Sequence, residues 1–224
     1  MKIVKPDEGE ILDIELEKDF LEKNRKLAAE NRKALDQFGI TAIDVMGSIG
    51  SGKTSLIGLL ASLLKKRYRI AVVAGDLTTT IDAERITRLG IEVVQVNTGK
   101  ECHLDANLIK KALSSLPLKD LDLVFIENVG NLICPAEFPL GAHKRVVIVS
   151  VTEGPWMVKK HPYIFHSANV AVINKIDLAE IMGVDPSRLV DDIKSINSSV
   201  KTILTSCREE KGLKEVAQAI GFQV

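Results

Sequence analysis

The stretch GSIGSGKT, residues 47–54, decides the fold of this chain of 224 residues. It fits the pattern G-x-x-x-x-G-K-S/T, in which a glycine-rich loop wraps around phosphate groups. An apolar run (41–47) precedes the stretch, and an apolar segment of helix length (53–67) follows it. Because the pattern requires this strand–loop–helix context, the stretch predicts a phosphate-binding loop rather than a chance glycine turn.

The residues of this loop form the first group of predicted nucleotide contacts. Their glycines allow successive backbone N–H groups to face the phosphates. We expect Lys53 to place its charge at the β- and γ-phosphates, where it is a catalytic candidate, and Thr54 to offer its hydroxyl to Mg²⁺. The predicted contacts are Gly47, Ser48, Gly50, Ser51, Gly52, Lys53, Thr54 and Ser55.

Short runs rich in valine and isoleucine recur along the rest of the chain. They span residues 41–47, 69–76, 91–98, 122–130, 145–152, 170–177 and 200–206. Most of these runs lack strict alternation, which is typical of strands covered on both faces. Helix-length segments separate several of them, notably 53–67, 104–115, 187–195 and 211–220. The pattern predicts an α/β fold of the P-loop NTPase type, with a mostly parallel sheet of about seven strands and helices on both faces.

Residues 10–38 form a separate element before this pattern begins. Apolar residues recur there every seven positions, at Ile14, Leu21, Ala28 and Leu35, and Gly39 ends the run. This spacing predicts an amphipathic N-terminal helix, which either packs across one face of the domain or binds a partner. We therefore divide the chain into an N-terminal helical extension (1–39) and a P-loop domain (40–224).

Composition excludes several classes of protein. Lysine plus arginine and aspartate plus glutamate both total 30, so the net charge gives no reason to expect nucleic acid or an anionic membrane as a partner. The N-terminus has no apolar region of a signal peptide, and no apolar run approaches the roughly 18 residues of a membrane span. Three cysteines, none in C-x-x-C, do not form a disulfide framework. We expect a cytoplasmic protein.

The motif NKID, residues 174–177, indicates which nucleotide binds. Asp177 can accept hydrogen bonds from guanine N1–H and the exocyclic amine, a donor pair that adenine lacks. We expect Asn174 to support the loop and contact N7, and the Lys175 stem to cover the ring or ribose. After the last strand, Ser206 and Cys207 lie where a backbone N–H would meet guanine O6. The predicted nucleotide is GTP or GDP.

Carboxylates after two strands are the other catalytic candidates. Glu127 lies at the C-terminal end of the strand predicted in the fourth run and could position Mg²⁺ or its water, while the Gly130 amide could sense the γ-phosphate. Asp76 and Asp82 follow the second run. One of them is expected to orient Mg²⁺ or the attacking water, with Asp82 favoured. The other is expected to form a local turn or a helix N-cap, and Asp82, just before the residues AER, is the candidate for that cap. No glutamine stands where small GTPases position water, so intrinsic hydrolysis should be slow.

Five stretches, taken in order along the chain, resemble the nickel-incorporation GTPases of NiFe-hydrogenase maturation, the HypB family. These stretches are GSIGSGKT, AGDLTTTIDAER, NTGKECHLDA, IENVGNLICPAEFPLGAHKRVVIVSVTEG and NKIDLA. The resemblance covers about residues 15–215. It implies a Mg²⁺-dependent GTP-hydrolysing metallochaperone, dimerised by GTP and metal, that passes nickel to the hydrogenase large subunit with an accessory protein. A urease-accessory-like nickel GTPase is an alternative, but this chain lacks the Cys-Pro-His motif of that group.

The resemblance also implies a metal site. Matched by position, the family's Ni²⁺ or Zn²⁺ ligands fall on Cys102, His103 and Cys134. Taken alone, Cys102–His103 is better explained as packing, but the loops that carry all three residues follow strands of one parallel sheet and should meet at the edge that carries the phosphate loop. Thiolate and imidazole suit both metals. No cysteine or histidine precedes Cys102, so we expect neither the N-terminal nickel site nor the storage tract of many relatives.

Two further classes of function stay open at this point. In the first, the protein is a metal-binding module in which GTP only supports the fold. In the second, it is a P-loop kinase acting on a small molecule, against which NKID argues.

Overall fold

A seven-stranded parallel sheet forms the centre of the molecule. The structure is a computed structural model that describes residues 14–99 and 101–224, with side chains from residue 19 onward. In chain order the strands are β1 (Thr41–Gly47), β2 (Ile70–Asp76), β3 (Glu92–Asn97), β4 (Leu123–Glu127), β5 (Lys144–Ser150), β6 (Val170–Asn174) and β7 (Lys201–Leu204). Their order across the sheet is β3-β2-β4-β1-β5-β6-β7. The predicted parallel sheet is confirmed, since each strand falls on one predicted run.

Strands β4 and β6 each end three residues before the apolar runs suggested. β4 stops at Glu127 rather than Gly130, and the side chain of Asn128 accepts a hydrogen bond from the Val129 N–H instead of leaving it for a ladder. β6 stops at Asn174, because Lys175 adopts a left-handed conformation with φ of 60°. The motif residues beyond both strands therefore lie in loops at the carboxyl edge of the sheet.

Helices cover both faces of the sheet, as predicted. They are α1 (Ile14–Gln37), α2 (Lys53–Leu64), α3 (Ile81–Thr87), α4 (Ala106–Ser114), α5 (Cys134–Glu137), α6 (Met157–Lys160), α7 (Tyr163–His166), α8 (Pro186–Ile196) and α9 (Leu213–Ala219). On one face α2, α3 and α9 pack in a single apolar core. On the other, α1 and α4 cover β2 and β4, while α6, α7 and α8 cover β5 and β6.

Helix α1 packs across the domain face, which is the first of the two interpretations given above. Ala28 and Leu35 are buried, and Gly39 ends the helical segment with φ of +68°. Asn31 donates from its amide to Ala106 O (2.8 Å) and Leu140 O (3.1 Å). Residues 10–13 of the predicted helix lie outside the described part of the chain, and the boundary between residues 39 and 40 stays a prediction.

None of the described helices combines the length and apolarity that crossing a bilayer requires.

Candidate functional site

The phosphate loop is shaped by a close approach between Gly52 and Asn174. Gly52 has φ of 108°, and a Cβ there would lie 2.3 Å from Asn174 Nδ2. The loop is closed by Ser51, whose hydroxyl donates to Ser48 O at 2.9 Å. Helix α2 starts at Lys53, so its free N–H groups lie at the loop and can bind an anion.

Lys53 lies across the inside of this loop. Its Nζ donates to Gly47 O at 3.2 Å and to Ser48 O at 3.0 Å. Burial lowers the pKa of Lys53, and the carboxylate of Glu127 is the largest opposing influence. The lysine is thus a buried cation held at the loop, as the sequence pattern predicted.

A cavity of about 410 Å³ opens in front of the loop. It brings together the catalytic candidates and much of the predicted phosphate site. Its lining includes Gly50, Gly52, Lys53, Thr54, Ser55, Asp76, Asp82, Glu127, Gly130 and Lys175. The loop and the carboxylates therefore share one space, although they come from four separate stretches of the chain.

Thr54 and Glu127 form a buried oxygen pair in this cavity. The Thr54 hydroxyl donates to Glu127 Oε1 at 2.6 Å, while Glu127 Oε2 is buried with no hydrogen-bond partner among the described residues. Burial raises the pKa of Glu127 to about 7, against the opposing effect of the Thr54 hydrogen bond. A hydroxyl and an orphaned carboxylate oxygen are the hard ligands that Mg²⁺ prefers, so the pair fits that ion.

The two aspartates after β2 differ in their surroundings. Asp76 Oδ1 accepts from Thr78 N (2.9 Å) and Thr79 N (2.7 Å). Partial burial raises the pKa of Asp76, but these amides outweigh it and the net shift is downward. Asp82 lies in the first turn of α3, and its carboxylate lies 3.4 Å from Arg85 Nη1. The local turn predicted for one of the two aspartates is thus formed by Asp76.

The interpretation of Asp82 as a helix N-cap is wrong. Helix α3 starts at Ile81, one residue before it, and Thr80 occupies the cap position. Asp82 is left free to face the cavity, where it is joined by Arg85, whose Nη2 lies 3.2 Å from Ser55 Oγ. Arg85 was not among the predicted site residues, although an arginine one turn after Asp82 is a signal that could have found it.

A second cavity, of about 350 Å³, lies beside the first and shares Gly52, Ser55 and Lys175 with it. Asn174, Asp177 and Cys207 also line it. The cavity extends from the phosphate loop to the NKID motif, which is the arrangement that a nucleotide with its base at Asp177 needs.

Asn174 ties together three parts of this pocket. Its Nδ2 donates to Ser51 O at 2.9 Å, and its Oδ1 accepts from Thr205 Oγ1 and Cys207 N, both at 3.1 Å. The supporting role predicted for Asn174 agrees with these bonds. Asp177 Oδ1 accepts from the hydroxyl of Ser206 at 2.6 Å, which fixes the carboxylate towards the same loop.

The base contact expected from Ser206 and Cys207 is less direct. Ser206 N donates to Lys211 O at 3.2 Å, and Cys207 N donates to Asn174 Oδ1. Both amides are already hydrogen-bonded within the protein, so a contact with guanine O6 needs a shared hydrogen bond or a local shift. This contact stays a prediction.

The structure brings Cys102, His103 and Cys134 together, as the shared edge of parallel strands predicted. Their candidate ligand atoms all lie within 4.8 Å of one another. The two sulfurs are 2.8 Å apart, Cys102 Sγ lies 3.7 Å from His103 Nδ1, and all three thiols of the chain are free. Cys102 and His103 follow β3, and Cys134 starts α5. We call these three residues the cysteine–histidine cluster.

Packing orients the His103 ring and shifts the pKa values of His103 and Cys134. The His103 ring stacks on Phe138, with ring centroids 3.8 Å apart and planes inclined by 25°. Burial lowers the pKa of His103, which favours the neutral imidazole that binds metals. Burial and the neighbouring Cys102 raise the pKa of Cys134 to about 11. A thiolate pair so close together requires a cation, and thiolates with imidazole suit Zn²⁺ or Ni²⁺.

A short segment connects the phosphate cavity with the cluster. Gly130 approaches the loop so closely that a Cβ there would lie 2.4 Å from Ile49 Cγ1. Asn131 next to it forms an isolated antiparallel bridge with Gly47, and its Nδ2 donates to Cys134 Sγ at 3.5 Å. Residues 127–134 therefore touch both the loop and the cluster.

The fold and the loop together define a P-loop nucleotide-binding protein. Comparison narrows this class, because the family described as "CobW/HypB/UreG, nucleotide-binding domain" matches residues 41–204. A probable hydrogenase maturation factor HypB of Methanocaldococcus jannaschii is 50% identical over 207 residues, which cover 92% of this chain and 94% of that protein. The chain belongs to the HypB hydrogenase maturation factors within that family, which confirms the resemblance.

Solved structures agree with this assignment. The crystal structure of the hydrogenase maturation factor HypB from Archaeoglobus fulgidus is 45% identical, with a TM-score of 0.82, and the match covers 88% of this chain and 96% of that one. HypB from Helicobacter pylori, crystallised in complex with nickel, is 35% identical with a TM-score of 0.83, and the match covers 88% and 92% of the two chains.

Proposed function

We propose that this protein hydrolyses GTP and uses the nucleotide to control nickel or zinc at the cysteine–histidine cluster during hydrogenase maturation. Family membership supports the GTPase assignment and the pathway. One observation carries the link between nucleotide and metal: Glu127, in the phosphate cavity, and Cys134, in the cluster, are only seven positions apart on one segment. A change that GTP makes in this segment would reach the metal directly.

In the phosphate cavity we assign the stabilisation of negative charge on the transferred phosphoryl group to three sources. They are Lys53, the N–H groups of the phosphate loop, and the N–H group of Gly130, which lies across from the loop. These groups stabilise the charge that develops during transfer and hold the phosphates in place. Thr54 and Glu127, with Asp82 beside them, would hold Mg²⁺, which would supply further positive charge. Asp76 is the other candidate for orienting the attacking water.

In the second cavity we assign base recognition to Asp177. Its carboxylate would accept from guanine N1–H and the exocyclic amine, with Asn174 holding the loop and the stem of Lys175 covering the ring. Ser206 and Cys207 complete this pocket through the bonds that fix Asp177 and Asn174. An acceptor pair of this kind discriminates strongly, because the wrong base leaves buried polar groups unpaired.

At the cluster we assign Cys102, His103 and Cys134 as ligands of the transported metal. Three protein ligands leave the fourth coordination position of a tetrahedral metal open, whereas a closed metal site has four protein ligands. Two copies related by a two-fold axis could share ligands, so a homodimer favoured by GTP and metal follows. Nickel in the Helicobacter pylori relative supports nickel as cargo, and zinc fits the same donors. The partners would be an accessory protein and the hydrogenase large subunit, in the cytoplasm.

The function is tested by measuring GTP turnover, with ATP in parallel, and metal binding on the same preparations. Lys53→Ala should abolish turnover, because it removes the charge at the reacting phosphate, while Lys66→Ala, on an exposed lysine of the same region, should not. Cys102→Ala should lower metal stoichiometry in the nucleotide-free protein, while Cys207→Ala should leave that stoichiometry unchanged. Equal turnover of ATP and GTP, or full turnover in Lys53→Ala, contradicts the proposal.

A further inference from the structure

Asp44 is a carboxylate in the centre of the sheet with no place in the site described so far. It lies on β1, the middle strand, and its side chain is fully buried. Its Oδ1 accepts from Asn128 Nδ2 at 3.2 Å. Its Oδ2 lies 3.8 Å from Arg145 Nε and has no hydrogen-bond partner among the described residues. A buried carboxylate with an unsatisfied oxygen is costly, so its presence calls for an explanation.

Asn128 links this carboxylate to the loop that carries Cys102 and His103. Its Oδ1 accepts from the backbone N–H of Leu104, the residue after His103, at 3.2 Å. Asn128 directly follows Glu127, and consecutive residues of an extended chain point to opposite sides. Glu127 therefore faces Thr54 and the phosphate cavity, while Asn128 faces the loop of the cluster.

Arg145 links the same carboxylate to the helix that carries Cys134. It lies on β5 opposite Asp44 in the register of the sheet. Its Nη1 donates to Ala136 O at 3.3 Å and to Ser167 Oγ at 2.7 Å. Ala136 belongs to α5, which has only four residues and little intrinsic stability. An outside anchor for this helix consequently has a large share in fixing its position.

We propose that Asp44, Asn128 and Arg145 are positioning residues for the metal site. Asn128 holds the backbone at Leu104, and Arg145 holds it at Ala136. Asp44 lies between these two side chains, hydrogen-bonded to Asn128 and ion-paired with Arg145. These positioning residues thereby keep Cys102, His103 and Cys134 within reach of one ion, although the positioning residues themselves do not contact the ion. The proposal rests on the proposed function of the cysteine–histidine cluster. Groups that hydrogen-bond metal ligands directly change metal affinity by about 10- to 100-fold when they are lost, and for groups that act through the backbone we expect the lower end of that range.

Cobalt in place of the natural metal tests the proposal, because thiolate-to-cobalt absorption reports how the ligands are arranged. Asn128→Ala should weaken Co²⁺ binding by about tenfold or more and alter the spectrum. The matched control is Asn197→Ala. The Asn197 amide donates to Phe165 O and Ala168 O and hydrogen-bonds none of the three cluster residues, so its loss should lower stability without altering the cobalt spectrum.

An exchange of side chains gives the second measurement, and it decides the matter even if Asn128→Ala does not fold. Asn128→Asp alone places two carboxylates side by side and should weaken Co²⁺ binding. Adding Asp44→Asn restores an amide–carboxylate pair while leaving an acceptor for Leu104 N, so the double variant should recover affinity and spectrum.

Each outcome of these measurements bears on a different claim. An unchanged spectrum and affinity in Asn128→Ala, equal losses in Asn197→Ala, or no recovery in the exchange overturns the positioning role alone. A cobalt spectrum that is the same in the unmodified protein and in Cys102→Ala overturns the metal site itself, and the positioning role with it.

Discussion

Glu127 is a tightly constrained residue of the phosphate cavity. It is buried, one of its oxygens accepts the Thr54 hydroxyl, and the other has no partner among the described residues. Leaving a buried acceptor unsatisfied costs about 1–3 kcal/mol. Such a cost is expected where an oxygen is reserved for an ion or a water of the reaction.

Replacing this carboxylate separates binding from chemistry. Glu127→Gln should retain GTP but lose most Mg²⁺-dependent hydrolysis, because the amide keeps the shape of the side chain and removes its charge. Single-turnover hydrolysis and nucleotide affinity, measured side by side, check this. Glu215→Gln, on an exposed position of α9, serves as the control. Full activity in Glu127→Gln would transfer the role to Asp76 or Asp82.

Asp177 is the single residue that is expected to select guanine over other bases. Asp177→Asn should weaken GTP binding by on the order of 10²-fold or more, because a donor then faces the N1–H donor of guanine. Xanthosine triphosphate, which presents an acceptor at the neighbouring position, should bind the variant better than GTP does. Titrations of both nucleotides measure this, with Glu180→Gln nearby as the control. GTP affinity unchanged in Asp177→Asn would rule out the assignment.

At the scale of elements, buried amides fasten α1 to the rest of the protein. Asn24 donates to Pro139 O at 2.9 Å and accepts from Ala106 N at 2.7 Å, and Asn31 binds Ala106 O and Leu140 O. Helix α1 thereby touches α4, which follows the loop of Cys102 and His103, and the stretch that follows α5. The helix is part of the core rather than a loose appendage.

Removing one of these amides should lower stability. Asn31→Ala leaves two buried carbonyls without their donor, so the free energy of unfolding should fall by about 2 kcal/mol. Lys33→Ala, on an exposed position of the same helix, should change it by no more than about 0.5 kcal/mol. Urea denaturation of both variants measures the difference. Equal stabilities for the two would mean that α1 contributes little to the fold.

Elements with a local signature could be predicted from the sequence, and those that depend on distant partners could not. The seven apolar runs, the phosphate loop and the convergence of Cys134 with Cys102 follow from strand patterns and from the shared edge of a parallel sheet. Helices of four residues, such as α5, carry no periodicity and were not predicted. Asn128 was missed because its partners, Asp44 and Leu104, lie 84 and 24 positions away.

For the whole molecule, the central feature is the position of two sites on one edge of the sheet. Residues 127–134 join the phosphate cavity to the cysteine–histidine cluster. Behind this segment lie the three proposed positioning residues, Asp44, Asn128 and Arg145. Binding at one site is therefore expected to bias the other, and by linkage the effect must be mutual. In the proposed dimer this coupling would become visible, since a shared metal and a nucleotide-ordered segment would favour the same contact.

Sedimentation combined with metal analysis tests this coupling most directly. The protein, loaded with Ni²⁺ or Zn²⁺, is measured in GDP and in a non-hydrolysable GTP analogue. We predict a metal-containing dimer in the analogue, a weaker dimer with loosened metal in GDP, and loss of both metal and metal-promoted dimer in Cys102→Ala while GTP affinity is kept. Identical mass and metal content in both nucleotides, or unchanged metal content in Cys102→Ala, would contradict the account.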